Sequence, residues 1–413
     1  MRVGRWPIWR LKGTAWGAPP HVPDGRAASA NRPARSFRVL HTDSSELMGG
    51  QELRVLLEAA GMVRRGHTMV LAVQPGSWLE CEGARRSLPV EPVLQRQSRY
   101  PPLILEFLRL IKKHRIEIVN THGSVDGWAA TIAAKLSPMK PLIVRSRHKS
   151  TPVKNTFHRR MLYGRLSDVV MTTGEAVRQD LVNRLAVDAG HVVSIPTGVD
   201  LTVFTPHPVT GDVRAEFGFT PTDFVIGTVS FLRSYKGLPI LVDAARMVCA
   251  RHPEARFLIV GDGEDRETIA GQIERLGLKS RIVLAGHRED VPTLLAHMDL
   301  YVQSSIKHEG LPQGLTQAMA MERPVVATAV GSIGEVVRNR ETGLLVAPGD
   351  PGQLAEGLCE LIRDPDLRGR MAKAGRRLIE ASYTFEGMLD RVERLYERLV
   401  HERENGGLSP VSH

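Results

Sequence analysis

The stretch Ser305-Ile-Lys-His-Glu-Gly-Leu-Pro-Gln-Gly-Leu-Thr-Gln-Ala-Met-Ala-Met-Glu-Arg-Pro-Val-Val-Ala-Thr328 decides how this chain is read. It follows a short apolar run, 300–303, that predicts a buried strand. Residues 314–321 predict a helix, and 324–327 the next strand. An acid (Glu309) and a glycine (Gly310) sit on the loop, and Gln317 lies eight residues after Glu309 on the helix. A carboxylate can hold hydroxyls, and the N–H groups opening a helix can hold phosphate. Together these are the two recognition chemistries of a nucleotide sugar.

The same strand–loop–helix logic runs outward in both directions. In the first half, apolar runs at 37–42, 68–73, 116–120, 142–145, 168–172 and 192–195 predict strands. Helical spacing at 52–65, 103–114, 128–136, 157–166 and 175–185 predicts the crossovers between most of them. In the second half the strands are expected at 224–230, 256–260, 281–284, 300–303 and 324–327. Helices are expected at 238–251, 265–277, 291–297 and 314–321. Alternation of this kind means two α/β domains, each with a parallel sheet. Residues 198–208, rich in Pro and Gly, suit a hinge.

Three loops carry charge or glycine at strand ends. Ser230-Phe-Leu-Arg-Ser-Tyr-Lys-Gly237 places Arg233 and Lys236 three apart, with Gly237 opening a helix, an arrangement that can grip a pyrophosphate. Gly49-Gly50 precedes the first helix, where only glycine allows the closest backbone approach to a ligand. His122 lies just after a strand, with Asp126 as a weaker neighbour.

The motif Glu309-Gly310 with Gln317 resembles the donor-site motif of retaining glycosyltransferases of family 4, Glu-Gly-x-x-x-x-x-x-Glu, with Gln317 in place of the second Glu. The resemblance covers about 36–400 and implies the GT-B architecture: two doubly wound Rossmann-like domains facing a central cleft. It implies an N-terminal acceptor domain over 36–197 and a nucleotide-sugar domain over 209–383. A last helix, 384–404, is expected to cross back to the first domain. By the same resemblance Arg233 and Lys236 neutralise the leaving diphosphate, Glu309 faces the donor sugar, and His122 is the cleft histidine that contacts that sugar. Gly49, Gly50, Gly237, Gly310, Leu311 and Pro312 shape the donor site, and His287 and Arg288 border the base. Gln317 faces the ribose diol, with Thr316 as a second partner. An amide there loses about 1 kcal/mol against a carboxylate.

The expected activity is retaining transfer of a sugar from a nucleoside diphosphate to a cell-envelope acceptor, a glycan or a lipid-linked one. No resident cofactor is expected. No Asp-x-Asp metal motif precedes a donor loop and no His/Cys ligand spacing appears, so no metal is expected either. Two other readings remain open: a sugar-nucleotide epimerase on the same architecture, and a scaffold with weakened chemistry at Gln317.

The net charge of +10 comes mostly from one end: residues 1–35 hold seven basic residues against Asp24. That segment has no helical or strand period and reads as a disordered basic extension, as does the tail 405–413. A second basic cluster, Arg145, Arg147, Lys149, Lys154, Arg159 and Arg160, predicts an acceptor-docking or anionic-membrane patch. Aromatic interleaving of the kind that stacks bases is lacking, so nucleic acid is not an expected partner. Three well-separated cysteines, Cys81, Cys249 and Cys359, form no disulfide framework and suit a reducing cytoplasm. With no apolar run of 18 residues, attachment on the inner face of the cytoplasmic membrane would be peripheral.

Overall fold

The computed structural model describes residues 35–96, 99–148, 150–207, 213–307 and 309–406. The expected extension, Arg35 excepted, therefore lies outside the described residues, as do Lys149 and most of the 405–413 tail. Arg35 itself pairs with Glu117 and Glu404 at 3.0 and 2.7 Å.

The first sheet has seven strands: β1 Arg38–Asp43, β2 Thr68–Val73, β3 Val90–Pro92, β4 Ile118–Thr121, β5 Leu142–Arg147, β6 Val169–Thr172 and β7 Val192–Ser194. The second has six: β8 Phe224–Val229, β9 Ala255–Val260, β10 Ile282–Gly286, β11 Leu300–Gln303, β12 Val325–Thr328 and β13 Leu344–Val346. Their orders are β3-β2-β1-β4-β5-β6-β7 and β10-β9-β8-β11-β12-β13. Neighbouring strands run parallel, as in Val39↔Ile118 and Tyr301↔Val325. Helices on both faces bury the strands, which is why they read as unbroken apolar runs and not as alternating ones. β4 and β12 are buried at every residue.

β3, β13 and the helices Trp78–Arg85, Pro351–Arg363 and Pro365–Ser382 add to the elements expected from sequence. The stretch expected as one helix over 157–166 is an α-turn, Phe157–Arg160, running into a π-helix, Met161–Leu166.

Two chain crossings join the halves, and they lie side by side. Val199 forms a parallel bridge with Thr384. The Val199 N–H donates to Tyr383 O at 2.8 Å, and the Phe385 N–H donates to Val199 O at 2.9 Å. After the second crossing the helix Phe385–Glu404 packs Met388, Leu389, Val392 and Tyr396 into the first domain's core, beside Phe37, Val55 and Met62. Arg65 anchors it through Glu386 (2.6 Å) and Glu393 (3.0 Å). The last helix therefore belongs structurally to the first domain.

Candidate active site

In an open parallel sheet, ligands bind beyond the strand C-termini where the strand order reverses. Here the reversals fall between β1 and β4 and between β8 and β11. The loops after these four strands are the ones that carried chemistry in the sequence: 44–49, 122–124, 230–233 and 304–312. The cleft between the domains has a volume of about 840 Å³, and Gly49, Gly50, Arg233, Lys236, Glu309 and Gln317 line it.

Glu309 is the best-defined polar group in this cleft. The residue is 5 % exposed, and its carboxylate takes two donors on one oxygen. Ser305 Oγ donates to Oε1 at 2.5 Å, and Lys236 Nζ reaches the same Oε1 at 2.6 Å. Gln303 Nε2 donates to Ser305 Oγ at 2.8 Å, and Tyr301 OH donates to Gln303 Oε1 at 3.3 Å. A buried polar chain thus fixes Oε1 from behind, and a charge-assisted bond fixes it from the β8 loop. Oε2 takes no bond from another described residue.

Lys236 arrives there because the β8 loop makes a 3₁₀ turn, Ser234–Lys236, closed by Gly237 at φ 65°. A Cβ at Gly237 would lie 2.1 Å from Ser304 O, so the β8 and β11 loops touch at a point where only glycine fits. Arg233 precedes the turn with its guanidinium over the Phe231 ring, 5.6 Å from the centroid.

Gly310, Leu311 and Pro312 line the cleft, and Pro312 opens the helix Gln313–Ala320 without a side-chain cap. A Cβ on Gly310 would come within 3.0 Å of Thr173 Oγ1 and 3.1 Å of His148 O, both in the first domain. Gln313 Nε2 donates across the cleft to Gly50 O at 3.2 Å. Gln317, one turn on, faces the cleft half-buried.

Some expectations need correction. Thr316 does not line the cleft: it is 2 % exposed and its hydroxyl donates to Gln313 O at 3.0 Å. One residue along a helix turns a side chain by about 100°, so Thr316 and Gln317 cannot serve one ligand. His287 lines the cleft and is exposed, and Arg288 beside it also lines the cleft, with its guanidinium already engaged. Its guanidinium is held by Asp290 at 2.7 Å, by Glu216 and by the Phe217 face; Asp290 and then Glu216 raise its pKa further.

Another correction concerns His122. It is buried, not cleft-lining, and sits in a row of imidazoles. Its Nε2 lies 2.9 Å from His41 Nδ1, and its Nδ1 lies 2.9 Å from His148 Nε2. His148 is the member of the row that lines the cleft. Burial, then the neighbouring His148, His41, Arg145 and Arg54, hold the His122 pKa well below the usual histidine range. His41 approaches Glu58 Oε1 at 3.9 Å, and Glu58 is paired with Arg54 at 2.9 Å. Arg54 in turn donates to Ile195 O, just ahead of the hinge.

Asp126 is buried and accepts from Thr42 Oγ1 (2.9 Å), Ser44 Oγ (3.2 Å) and the Gly123 N–H (2.9 Å), shaping the β4 loop. Among the acids that escaped the sequence reading, two stand at the end of β1 and the start of the helix after it. Glu52 lines the cleft, and Asp43 ends β1 behind it. Burial, Glu52 and Asp126 push Asp43 up to about 7. Its position as the last residue of a switch-point strand was the available signal.

The basic cluster divides. Lys154, Arg159 and Arg160 are exposed, next to Phe157 at 65 % exposure. Arg147 is half-buried and donates to Thr151 O. Arg145 is 3 % exposed, donates to Thr121 Oγ1 at 3.1 Å and lies over the Tyr163 ring. Although burial alone would push the Tyr163 pKa up, Arg145 and Arg147 together lower it. Arg145 is thus a structural cation under the β4–β5 strand ends and not part of a surface patch.

Two family models match the chain: Glycosyltransferase Family 4 over residues 48–203 and Glycosyl transferases group 1 over residues 210–378. The chain belongs to this glycosyltransferase family. It is a GT-B enzyme that uses a nucleotide-sugar donor. Among curated relatives, the Escherichia coli UDP-Gal:alpha-D-GlcNAc-diphosphoundecaprenol alpha-1,3-galactosyltransferase is 26 % identical, over 72 % of this chain and 79 % of its own. The Rhizobium meliloti lipopolysaccharide core biosynthesis glycosyltransferase LpsE is 30 % identical over 41 % of this chain and 49 % of its own. A crystal structure of Anabaena Alr3699/HepE in complex with UDP superposes with a TM-score of 0.79 at 21 % identity, covering 88 % of this chain and all of that one.

Proposed function

We propose that this glycosyltransferase works with retention and without a metal, and that its acceptor is a cell-envelope glycan or lipid-linked intermediate. The observation that carries the reading is the 2.6 Å pair between Lys236 and Glu309, from two different strand-end loops, beside Arg233 in the interdomain cleft. An ammonium has three donors, and Glu309 uses one. The others, with Arg233 and the open start of the helix Gln313–Ala320, meet a diphosphate, so cations of the chain itself neutralise the leaving group.

In this scheme Glu309 Oε2 accepts from a hydroxyl of the donor sugar, and Gln317 meets the ribose. The acceptor hydroxyl attacks C1 from the side the diphosphate leaves. The C1–O bond to phosphate breaks as the new glycosidic bond forms, and the leaving phosphate oxygen takes the hydroxyl proton. The protein supplies orientation and charge stabilisation, effects worth several kcal/mol each in enzymes. The names of the relatives, a diphosphoundecaprenol-linked substrate and a lipopolysaccharide core, support an envelope acceptor. The exposed Lys154, Arg159 and Arg160 around Phe157 form a basic, apolar-tipped patch suited to an anionic bilayer. No described helix is long and apolar enough to cross a membrane, so contact through this patch would be peripheral.

The test is a screen of UDP- and GDP-sugars with lipid-linked and core-glycan acceptors, in EDTA. Release of nucleoside diphosphate with an anomer matching the donor's is expected. An inverted product sinks retention, loss of turnover in EDTA sinks metal independence, and an epimerised nucleotide sugar in place of transfer sinks the reading as a whole.

A further inference from the structure

The helix Glu175–Leu185 of the first domain starts at Gly174, which has no side chain with which to cap it. A helix start leaves backbone N–H groups in need of acceptors and carries positive partial charge. In this protein the acceptor comes from the other domain. Glu335, on the short turn Ile333–Glu335 after β12, places Oε1 2.7 Å from the Glu175 nitrogen and 3.1 Å from the Ala176 nitrogen. The contact is made side chain to backbone over 160 residues of sequence.

The surroundings of this cap belong to the active site. Gly174 lies so close to Ser332 that a Cβ would meet its Oγ at 2.0 Å. Thr173, the preceding residue, lines the cleft and faces Gly310. On the other side, a Cβ on Gly331 would overlap Glu309 O at 1.9 Å, so the Glu335 turn leans on the backbone of the catalytic loop. The seam thus runs from the donor loop through Ser332 to the β6 loop and ends in one carboxylate. Other charged and titratable groups near it are accounted for: Glu175 is paired with Arg178 at 2.7 Å, Arg338 with Glu341 at 3.0 Å, and Tyr383 is raised by burial and then by Glu335.

We infer that Glu335 is a positioning residue for transfer: by capping the opposite domain's helix it sets the closed spacing between the donor loop and the acceptor wall. This rests on the transferase reading above. In that reading the side chains that meet the nucleotide, Arg233, Lys236 and Gln317, lie on the second domain, and the first approaches through the Gly49–Gly50 backbone, so the cap acts mainly on turnover and acceptor use and little on nucleotide affinity. Near-attack geometry tolerates little displacement, and a shift of about 1 Å can cost roughly a hundredfold.

The experiment compares the wild-type full chain with E335A, E335Q and E335A/G174S. Its readouts are amide hydrogen exchange at residues 175–176, the Kd of UDP and GDP, and turnover of the best nucleotide sugar from the screen. E335A should expose the 175–176 amides, leave the Kd within about twofold, and lower kcat at least tenfold. E335Q keeps an oxygen acceptor and should fall between. The double variant separates the two roles a cap can have. The hydroxyl brought in by G174S can cap the helix locally, yet the added Cβ presses on Ser332 and holds the seam open, so exchange protection should return while kcat stays low. Recovery of kcat in the double variant, unchanged exchange in E335A, or loss of nucleotide affinity in step with kcat would each overturn the inference. A wild type that releases nucleotide from no donor sinks the transferase reading itself, whereas an active wild type with an unslowed E335A overturns the inference alone.

Discussion

Lys236 and Glu309 lie 73 residues apart in sequence and meet at 2.6 Å, one from the loop after β8 and the other from the loop after β11. These strands are neighbours across the reversal of the second sheet, so the pair stands where open parallel sheets generally bind ligands. Removal of either partner leaves the other, a buried carboxylate or a largely covered ammonium, uncompensated. K236A should therefore lower kcat about a hundredfold or more, as loss of a transition-state donor does. K236R restores charge but not shape and should recover only part. E309Q should lower kcat more than donor affinity, because it keeps the hydrogen bond to Ser305 and loses the charge-assisted ones. Steady-state kinetics beside nucleotide titration checks this, and equal losses of kcat and affinity in E309Q would move Glu309 away from the sugar.

Gln317 offers an amide to the cleft with no bond to another described residue. If it meets the ribose diol, Q317E should tighten donor binding by about 1 kcal/mol, roughly five- to tenfold. It should also widen the preference for ribose over 2′-deoxyribose. Q317A should narrow that preference. Titration of UDP against 2′-deoxy-UDP, and of GDP against 2′-deoxy-GDP, measures both. A ratio that neither variant alters would mean that the helix Gln313–Ala320 does not face the nucleotide sugar's ribose.

Much of this was legible because parallel strands buried on both faces write themselves as apolar runs, and the strand-end loops carry Gly, Arg, Lys and Glu where the sheets reverse. What escaped has physical reasons. β3 and β13 are three residues long and carry too little apolar pattern to register. The helices at Pro351 and Pro365 do carry start signals, since Asp350 and Asp364 cap them ahead of a proline at N1. The imidazole row was invisible because His41, His122 and His148 come from three different strand ends. Arg145 reads as one more surface cation until the fold puts Thr121 and Tyr163 around it. The Glu335 cap joins residues 160 apart, which no local pattern reports.

Asp43 should leave a signature in the pH dependence of stability. Its folded pKa lies up at about 7, above the usual carboxylate range, because of burial, Glu52 and Asp126. The folded state therefore binds this proton more tightly than the unfolded one. The stabilisation is fully present below about pH 4 and is lost as pH rises to about 7, then stays flat. The full shift corresponds to at most about 4 kcal/mol. D43N removes the titration and keeps an acceptor for the Ser45 N–H, and an amide flip of Gln51 restores its own bond. Denaturant midpoints between pH 5 and 8 should fall more steeply for wild type than for D43N. Parallel slopes would show that Asp43 is ionised in the folded protein throughout.

The imidazole row makes the sharpest prediction, because its atoms allow only two neutral arrangements. Each of its two contacts pairs an Nε2 with an Nδ1 at 2.9 Å and needs one proton. A neutral His122 has one proton to give, so either every ring carries it on Nε2 or every ring carries it on Nδ1. The near-parallel rings of His41 and His122, 8° apart, suit such bonding. Glu58 decides between the two. Its carboxylate faces His41 Nε2 at 3.9 Å, too far for a hydrogen bond but close enough to favour a proton over a lone pair there. Nitrogen-15 spectra of the histidine rings should show His41 and His122 as Nε2–H tautomers. His122 should stay neutral as pH falls, since its pKa is held well below the usual range by burial first and neighbouring cations second. A depressed folded pKa means that the unfolded chain gains the proton first, so this contribution to stability is present above about pH 6.5 and lost below it, opposite in direction to Asp43. H41F should release the register at His122 and lower kcat several-fold through the His148 wall of the cleft, with nucleotide affinity unchanged. H41N, which keeps an acceptor near the Nδ1 position, should recover part of that loss. An Nδ1–H tautomer at His122 in the wild type, or an imidazolium there at pH 6, would mean that Glu58 does not set the row.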